Sequence, residues 1–118
     1  MADHNDLGKL GEELAVQYLV EKDFTILHRN WRYSHYEIDI IAIKNDLPHF
    51  VEVKIRTSEF FGMPEESVTK KKLKSLFQAV NEFLYRHPQY KNFRIDVLSI
   101  TAPKNGEPKF FLIEDVYQ

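Results

Sequence analysis

The sequence predicts a mixed α/β domain in the order αβββαββ, with helices packed on a central sheet. Three observations carry the prediction. Two stretches, 37–44 (EIDIIAIK) and 49–56 (HFVEVKIR), are rich in Ile and Val and joined by a short polar link, which reads as a hairpin. Two longer segments, 6–22 and 69–86, repeat apolar residues at helical spacing. Two further short apolar runs, 94–101 and 109–113, follow the second of these.

The first helix has Asn5 or Asp6 available as N-cap and places Leu7, Leu10, Leu14 and Tyr18 on one face. A first strand is expected over 24–32. The loop after the hairpin contains Gly62 and Pro64, and Thr69 is a fitting N-cap for the second helix. Leu73, Leu76, Phe77, Val80, Phe83 and Leu84 form that helix's buried stripe, and His87-Pro88 ends it. The KNGEP turn leads into the last strand.

Composition bounds what such a domain can do. A chain of 118 residues holds one real core, so residues 1–118 are expected to form a single domain, and 43% hydrophobic residues are enough to fold it. With no Cys, a disulfide scaffold and a thiolate zinc site are excluded, and a reducing compartment is expected. MADHNDLGKL has neither a basic nor an apolar signal region, and no apolar run approaches a membrane span, so the expected location is cytoplasmic, away from membranes. A net charge of −2 does not by itself announce a nucleic-acid partner. Yet Lys70, Lys71, Lys72 and Lys74 cluster, while acids gather near residues 3–13 and 107–115.

If Asn45-Asp46 form a two-residue turn, facing residues of the hairpin have numbers summing to 91. Asp39 then faces Glu52, Glu37 faces Lys54 and Ile41 faces Phe50 on one side, with Ile38 and Ile40 against Val53 and Val51 on the other. Large apolar residues on both faces imply a sheet covered on both sides, so Glu37, Asp39, Glu52 and Lys54 share one covered face. Two partly buried carboxylates directly opposed repel one another unless a proton or a cation intervenes. Asp39 and Glu52 with Lys54 close by suit Mg²⁺ or Mn²⁺, which accept one or two carboxylates and keep waters for chemistry. Such a site fits phosphodiester hydrolysis. From the residues alone, a salt-bridge network at a sheet end accounts for the four as readily.

The pattern of Asp39 followed by Glu52-Val53-Lys54, after a helix bearing Glu12, resembles the PD-(D/E)XK nuclease superfamily. GKLGEELA (8–15), NWR (30–32), EIDIIA (37–42), FVEVKIR (50–56), FG-P (61–64), Lys72 and RIDV (94–97) together resemble the YraN-like family of bacterial proteins, in order over nearly the whole chain. The resemblance implies a restriction-endonuclease-like core, αβββαβ with a mixed central sheet flanked by helices, related to archaeal Holliday-junction resolvases. It implies a Mg²⁺- or Mn²⁺-dependent nuclease acting on DNA, with branched DNA a candidate substrate, RNA the alternative nucleic acid, and a homodimer suggested by the resolvases. The competing reading is a nucleic-acid-binding protein that keeps the nuclease fold without turnover. By position, Asp39 and Glu52 would be the metal-binding carboxylates, Lys54 the catalytic lysine, and Glu12 the helical acid approaching the same site. Glu37 is a secondary candidate that could instead pair with Lys54. The resembled family usually has Gly before the E-I-D stretch, where this chain has Tyr36, a change expected to narrow the cleft or alter substrate entry.

Lys70, Lys71 and Lys72 fall in the first turn of the second helix, where cations oppose the helix dipole and a phosphate would be welcome. Lys72, with Arg56, is the expected backbone-phosphate contact, although a run of lysines is otherwise a solvated face. Gln78, one turn on, is a secondary candidate; His35 is a weak one. Trp31, Tyr33 and Tyr36 are read as packing residues, with base stacking as the alternative.

Overall fold

The computed structural model describes residues 4–57 and 70–116, with side chains from Asp6 onward. Its elements follow the expected order: α1 (His4–Glu21), β1 (Thr25–Tyr33), β2 (Tyr36–Lys44), β3 (Leu47–Arg56), α2 (Lys70–Arg86), β4 (Arg94–Thr101) and β5 (Lys109–Ile113). Thr69 and the FG-P stretch lie outside the described residues. The five strands form one mixed sheet in sequence order. β3 and β4 run parallel through the α2 crossover, and every other neighbouring pair is antiparallel.

Each face of the sheet is covered by one helix. Ala15 and Leu19 of α1 pack with Ile40, Ala42, Val51, Leu98 and Ile100. On the opposite face Leu76, Ala79, Val80 and Phe83 of α2 pack with Ile38, Ile41, Phe50 and Ile95. The expected α2 stripe packs on this face, with Leu76, Val80 and Phe83 buried, Leu73, Phe77 and Leu84 partly buried, and Ala79 added to it.

α1 departs from expectation in two ways. It begins at His4, so Asn5 and Asp6 lie within its first turn and do not cap it. Its buried line runs through Gly11, Ala15 and Leu19, while Leu10 is 46% exposed. Small residues win this face because the helix sits against β3: a Cβ on Gly11 would lie 2.9 Å from Ile55 Cγ2 and 3.0 Å from Ile55 Cβ. Gly8 faces nothing within 4 Å. Gly8→Ala is therefore expected to stabilise the fold by up to about 1 kcal/mol through helix propensity. Gly11→Ala should instead lose about 1 kcal/mol, because overpacking against a branched strand residue exceeds that gain. Urea unfolding of the two variants reads the difference.

The C-terminus of α1 is closed without glycine. Asp23 adopts φ 71°, Phe24 N–H donates to Leu19 O at 2.9 Å and Asp23 N–H to Val20 O at 3.1 Å. Those bonds form a Schellman motif, with Phe24 and Leu19 as its apolar contact.

The hairpin register is the expected one. Asn45 and Asp46 take φ 53° and 63°, and the ladder pairs Lys44 with Leu47 up to Ile40 with Val51. Beyond that pair the ladder stops. Asp39 Oδ2 accepts the Val53 N–H at 2.8 Å, so a side chain takes the bond a facing strand would have supplied.

The face assignment also changes at this point. Ile38 packs under α2 whereas Ile40 packs under α1, so the expected shared face for the two is corrected. Their β1 partners behave alike: Trp31, opposite Ile38, packs on the α2 side, and Arg29, opposite Ile40, reaches Glu12 of α1. Between Arg29 and Trp31 lies Asn30 with φ 54°, and between Ile40 and Ile38 lies Asp39. A left-handed residue resets the pleat, and Asp39 stands where the two faces exchange. No helix among the described residues is long and apolar enough to cross a membrane.

Candidate active site

Where β2 and β3 part, a cleft of about 320 Å³ opens, lined by His35, Tyr36, Glu37, Asp39, Glu52 and Lys72, with Ser75 and Leu76 of α2. Because Asp39 sits at the exchange of faces, it also lines a second groove on the α1 side, together with Gly8, Lys9, Glu12, Asn30 and Arg32.

Glu52 is the buried centre of the cleft, its side chain 7% exposed. Two ammonium groups converge on one of its oxygens: Lys72 Nζ at 2.6 Å and Lys54 Nζ at 3.5 Å from Oε1. A buried carboxylate needs such compensation. Lys54 reaches it from two residues along the same strand face, and Lys72 comes down from the first turn of α2.

The charges tune one another. Burial pushes the Asp39 carboxyl up, the neighbouring Glu52 and Glu37 add to the rise, and the Val53 N–H and Lys72 only partly oppose it, leaving its pKa at about 7. Burial and the positive charge of the adjacent Lys72 hold Lys54 below the ordinary lysine value, against the pull of Glu52. Burial works against charge on Lys72 too, but its bond to Glu52, its contact with Lys54 and the field of Asp39 outweigh that and raise it. The two lysines are thereby set apart: Lys72 keeps its proton and Lys54 is moved toward the free amine.

The remaining candidates are placed as follows. Glu37 lines the cleft but pairs with Arg32 at 3.0 Å, which corrects the expected pairing with Lys54. Glu12 is half-buried in the α1-side groove, where Arg29 Nε at 2.9 Å and Asn30 Nδ2 at 2.8 Å both donate to its Oε1. It shares that groove with Asp39 and is already neutralised there by a guanidinium. Arg56 lies two residues beyond Lys54 on the same strand face, half-buried at the end of β3. Lys70 and Lys71 are exposed, and Lys72 is the member of the trio that enters the cleft. Gln78 is exposed on α2 and does not line the cleft.

Two features escaped the sequence. Ser75 lies one turn after Lys72 and faces the cleft with it, a relation the i, i+3 spacing shows once Lys72 is placed. A buried pair, His49 Nδ1 with Asp96 Oδ2 at 2.7 Å, lies outside the cleft on the α1 side of the sheet. Asp96 Oδ1 accepts the Asp115 N–H at 2.9 Å, so this pair fastens the C-terminal segment to β4.

Among the described residues no group of three His, Asp or Glu side chains gathers for a metal. That donor set does not suit zinc. A hard cation such as Mg²⁺ asks less of a protein, one or two carboxylates with water completing its shell, and Asp39 and Glu52 are two carboxylates lining this cleft.

Fold and cleft together define a mixed α/β protein built around a buried carboxylate held between two lysines of unequal basicity. Residues 11–100 match the model of a family described as uncharacterised protein family UPF0102. Similar chains named UPF0102 protein occur in Bacteroides thetaiotaomicron, 45% identical over 117 residues covering 99% of this chain and 96% of that one. Another, in Flavobacterium johnsoniae, is 45% identical over 111 residues, 91% of this chain and 89% of its own. A third, in Parabacteroides distasonis, is 36% identical over 116 residues, covering 98% and 93%. This chain belongs to the UPF0102 family, the YraN-like group its motifs resemble.

Proposed function

We propose that the protein is a divalent-cation-dependent nuclease hydrolysing phosphodiester bonds in DNA, with the restriction-endonuclease-like core of the PD-(D/E)XK superfamily. The observation that carries this reading is that Asp39 and Glu52 line one cleft while Lys54, displaced toward its neutral form, lies 3.5 Å from Glu52. A structural salt bridge has no use for a lysine depressed by a second lysine, whereas a general base does.

Asp39 and Glu52 would hold Mg²⁺ or Mn²⁺, which when bound supplies charge neutralisation at the phosphate and acidifies a water. The Lys54 amine takes the proton of the attacking water as its oxygen bonds to phosphorus and the P–O bond to the leaving strand breaks. Lys72, still charged, and Arg56 further along the same face would meet the phosphate oxygens, which fixes the backbone without reading sequence.

The test is incubation of labelled single-stranded, duplex, flap and four-way-junction DNA with Mn²⁺. Product is expected from the wild type and none from Glu52→Gln or Lys54→Met. A folded wild type that cuts none of the substrates, or variants that cut undiminished, would overturn the assignment. Salt-dependent binding without product would leave a binding protein of nuclease fold.

A further inference from the structure

We propose that the tip of the β1–β2 hairpin is a stacking subsite for an unpaired nucleobase, so that the strand presented to the cleft is single-stranded. This rests on the cleft being a nucleic-acid site and names the form of the substrate.

The tip is a two-residue turn, Ser34-His35, with Ser34 at φ 57° and Tyr33 paired with Tyr36 across it. That geometry places aromatic rings at the rim. The Tyr33 and Tyr36 rings lie 6.5 Å apart with 25° between their planes, and His35 lies 4.2 Å from Tyr36. Trp31 is different: it packs edge-on against Phe83 in the core, as expected of a packing aromatic. Tyr33 is 37% exposed, His35 is exposed, and Tyr36 rests partly on the core. His35 and Tyr36 line the same cleft as Asp39, Glu52 and Lys72. Arg86 lies 5.7 Å from the Tyr33 ring, adding a cation behind the aromatic rim.

Three constraints select an unpaired base. The cleft, about 320 Å³, is at the small end for ligand sites, the scale of one nucleotide and not of a helix. Glu52 is sunk within it, so a phosphate brought to that carboxylate carries its base past the rim. An aromatic side chain can stack only on a base face that no neighbouring base already covers, and it does so for any base. Tyr36 thus supplies the stacking face at the entrance.

The test is fluorescence anisotropy in EDTA, where no strand is cut, using single-stranded oligonucleotides of DNA and of RNA, the same strand with a central abasic run, and a blunt duplex. Wild type, Tyr36→Phe and Tyr36→Leu are compared after circular dichroism confirms their fold. The subsite requires tighter binding of an intact single strand than of duplex or abasic strand. It also requires a loss of about tenfold in Tyr36→Leu, as for one stacked base, and near-wild-type affinity in Tyr36→Phe. These outcomes support it whether or not any strand is later cleaved. Equal affinity for duplex and single strand, unchanged binding in Tyr36→Leu, or no binding to either nucleic acid overturns it. Cleavage of duplex lost in Glu52→Gln would in that case leave the nuclease reading standing.

Discussion

Replacing Asp39 with asparagine is expected to stabilise the fold at pH 8 while impairing the proposed hydrolysis. In the folded chain the Asp39 carboxyl titrates near 7, against an ordinary aspartate value of 3.8. An acid whose pKa is raised by folding favours the fold only while protonated. Stability is therefore full below pH 4 and is lost progressively as the pH rises from about 4 through 7. One pH unit of displacement corresponds to about 1.4 kcal/mol, so the loss is capped near about 4 kcal/mol. Relaxation and water entry should reduce it to about 1–3 kcal/mol. The carboxamide introduced by Asp39→Asn keeps an oxygen for the Val53 N–H and offers Glu52 an amide donor in place of a second negative charge. The variant should gain that stability at pH 8 and almost none at pH 4, read by urea unfolding at both. Nuclease turnover should fall by more than about a hundredfold, since even partners one step removed from a metal cost 10–100-fold. Mn²⁺ should raise the melting temperature of the wild type and leave Asp39→Asn unmoved. Equal stability of the two proteins at pH 8 would show that Asp39 bears no such strain.

How much of this was legible in the sequence depended on the range of the interaction. The strand pair 37–44 and 49–56 and its register followed from local chemistry, because Asn45-Asp46 can take the positive φ that a two-residue turn demands. With the register came Asp39, Glu52 and Lys54 in one place. The α2 stripe followed from periodicity. What failed was the assumption that the pleat runs unbroken. Asn30 is of a residue type that tolerates the left-handed region, but a lone Asn within a strand does not announce that it adopts it, and that residue moves Trp31 and Ile38 to the α2 face. It thereby sets Asp39 between two grooves and gives Glu37 to Arg32. The expected face of α1 holds in part: Leu14 and Tyr18 pack against the core, but Leu10 is exposed, and close approach to Ile55 brings Gly11 and Ala15 to the centre.

Contacts across long stretches of sequence were the least legible. Lys72 was expected to meet phosphate because it lies in a run of lysines at a helix start, at the position the family resemblance singles out. That it meets Glu52 depends on how the α2 crossover lands over β3, which the parallel β3–β4 pairing fixes. His49 with Asp96 arises in the same way, from two strands 47 residues apart in number. Local chemistry therefore shows the carboxylates and the lysine separately, and only the crossover seats Lys72 on Glu52.

That seat gives the second large effect. Lys72→Met should destabilise the fold at pH 7 by about 1–3 kcal/mol. Breaking a fully buried pair costs about 3–5 kcal/mol, and the loss is moderated because Lys72 is 44% exposed and Lys54 remains 3.5 Å from Glu52. Methionine keeps the apolar stem, so the loss reports the ammonium and not the packing. Two further changes separate this account from simple damage. With Lys72 no longer repelling it, Lys54 should titrate higher than in the wild type, which NMR of the lysine side chains reads directly. Glu52, relieved of the 2.6 Å ammonium that competes for the same oxygen, should take Mn²⁺ more readily. The Mn²⁺-induced rise in melting temperature should then be larger in Lys72→Met than in wild type, although the variant starts less stable. Lys72→Arg, which keeps the charge, should show neither change. A Lys72→Met protein as stable as wild type, with an unmoved Lys54, would mean that Lys72 does not hold Glu52 in solution, and the inequality of the two lysines would lose its cause.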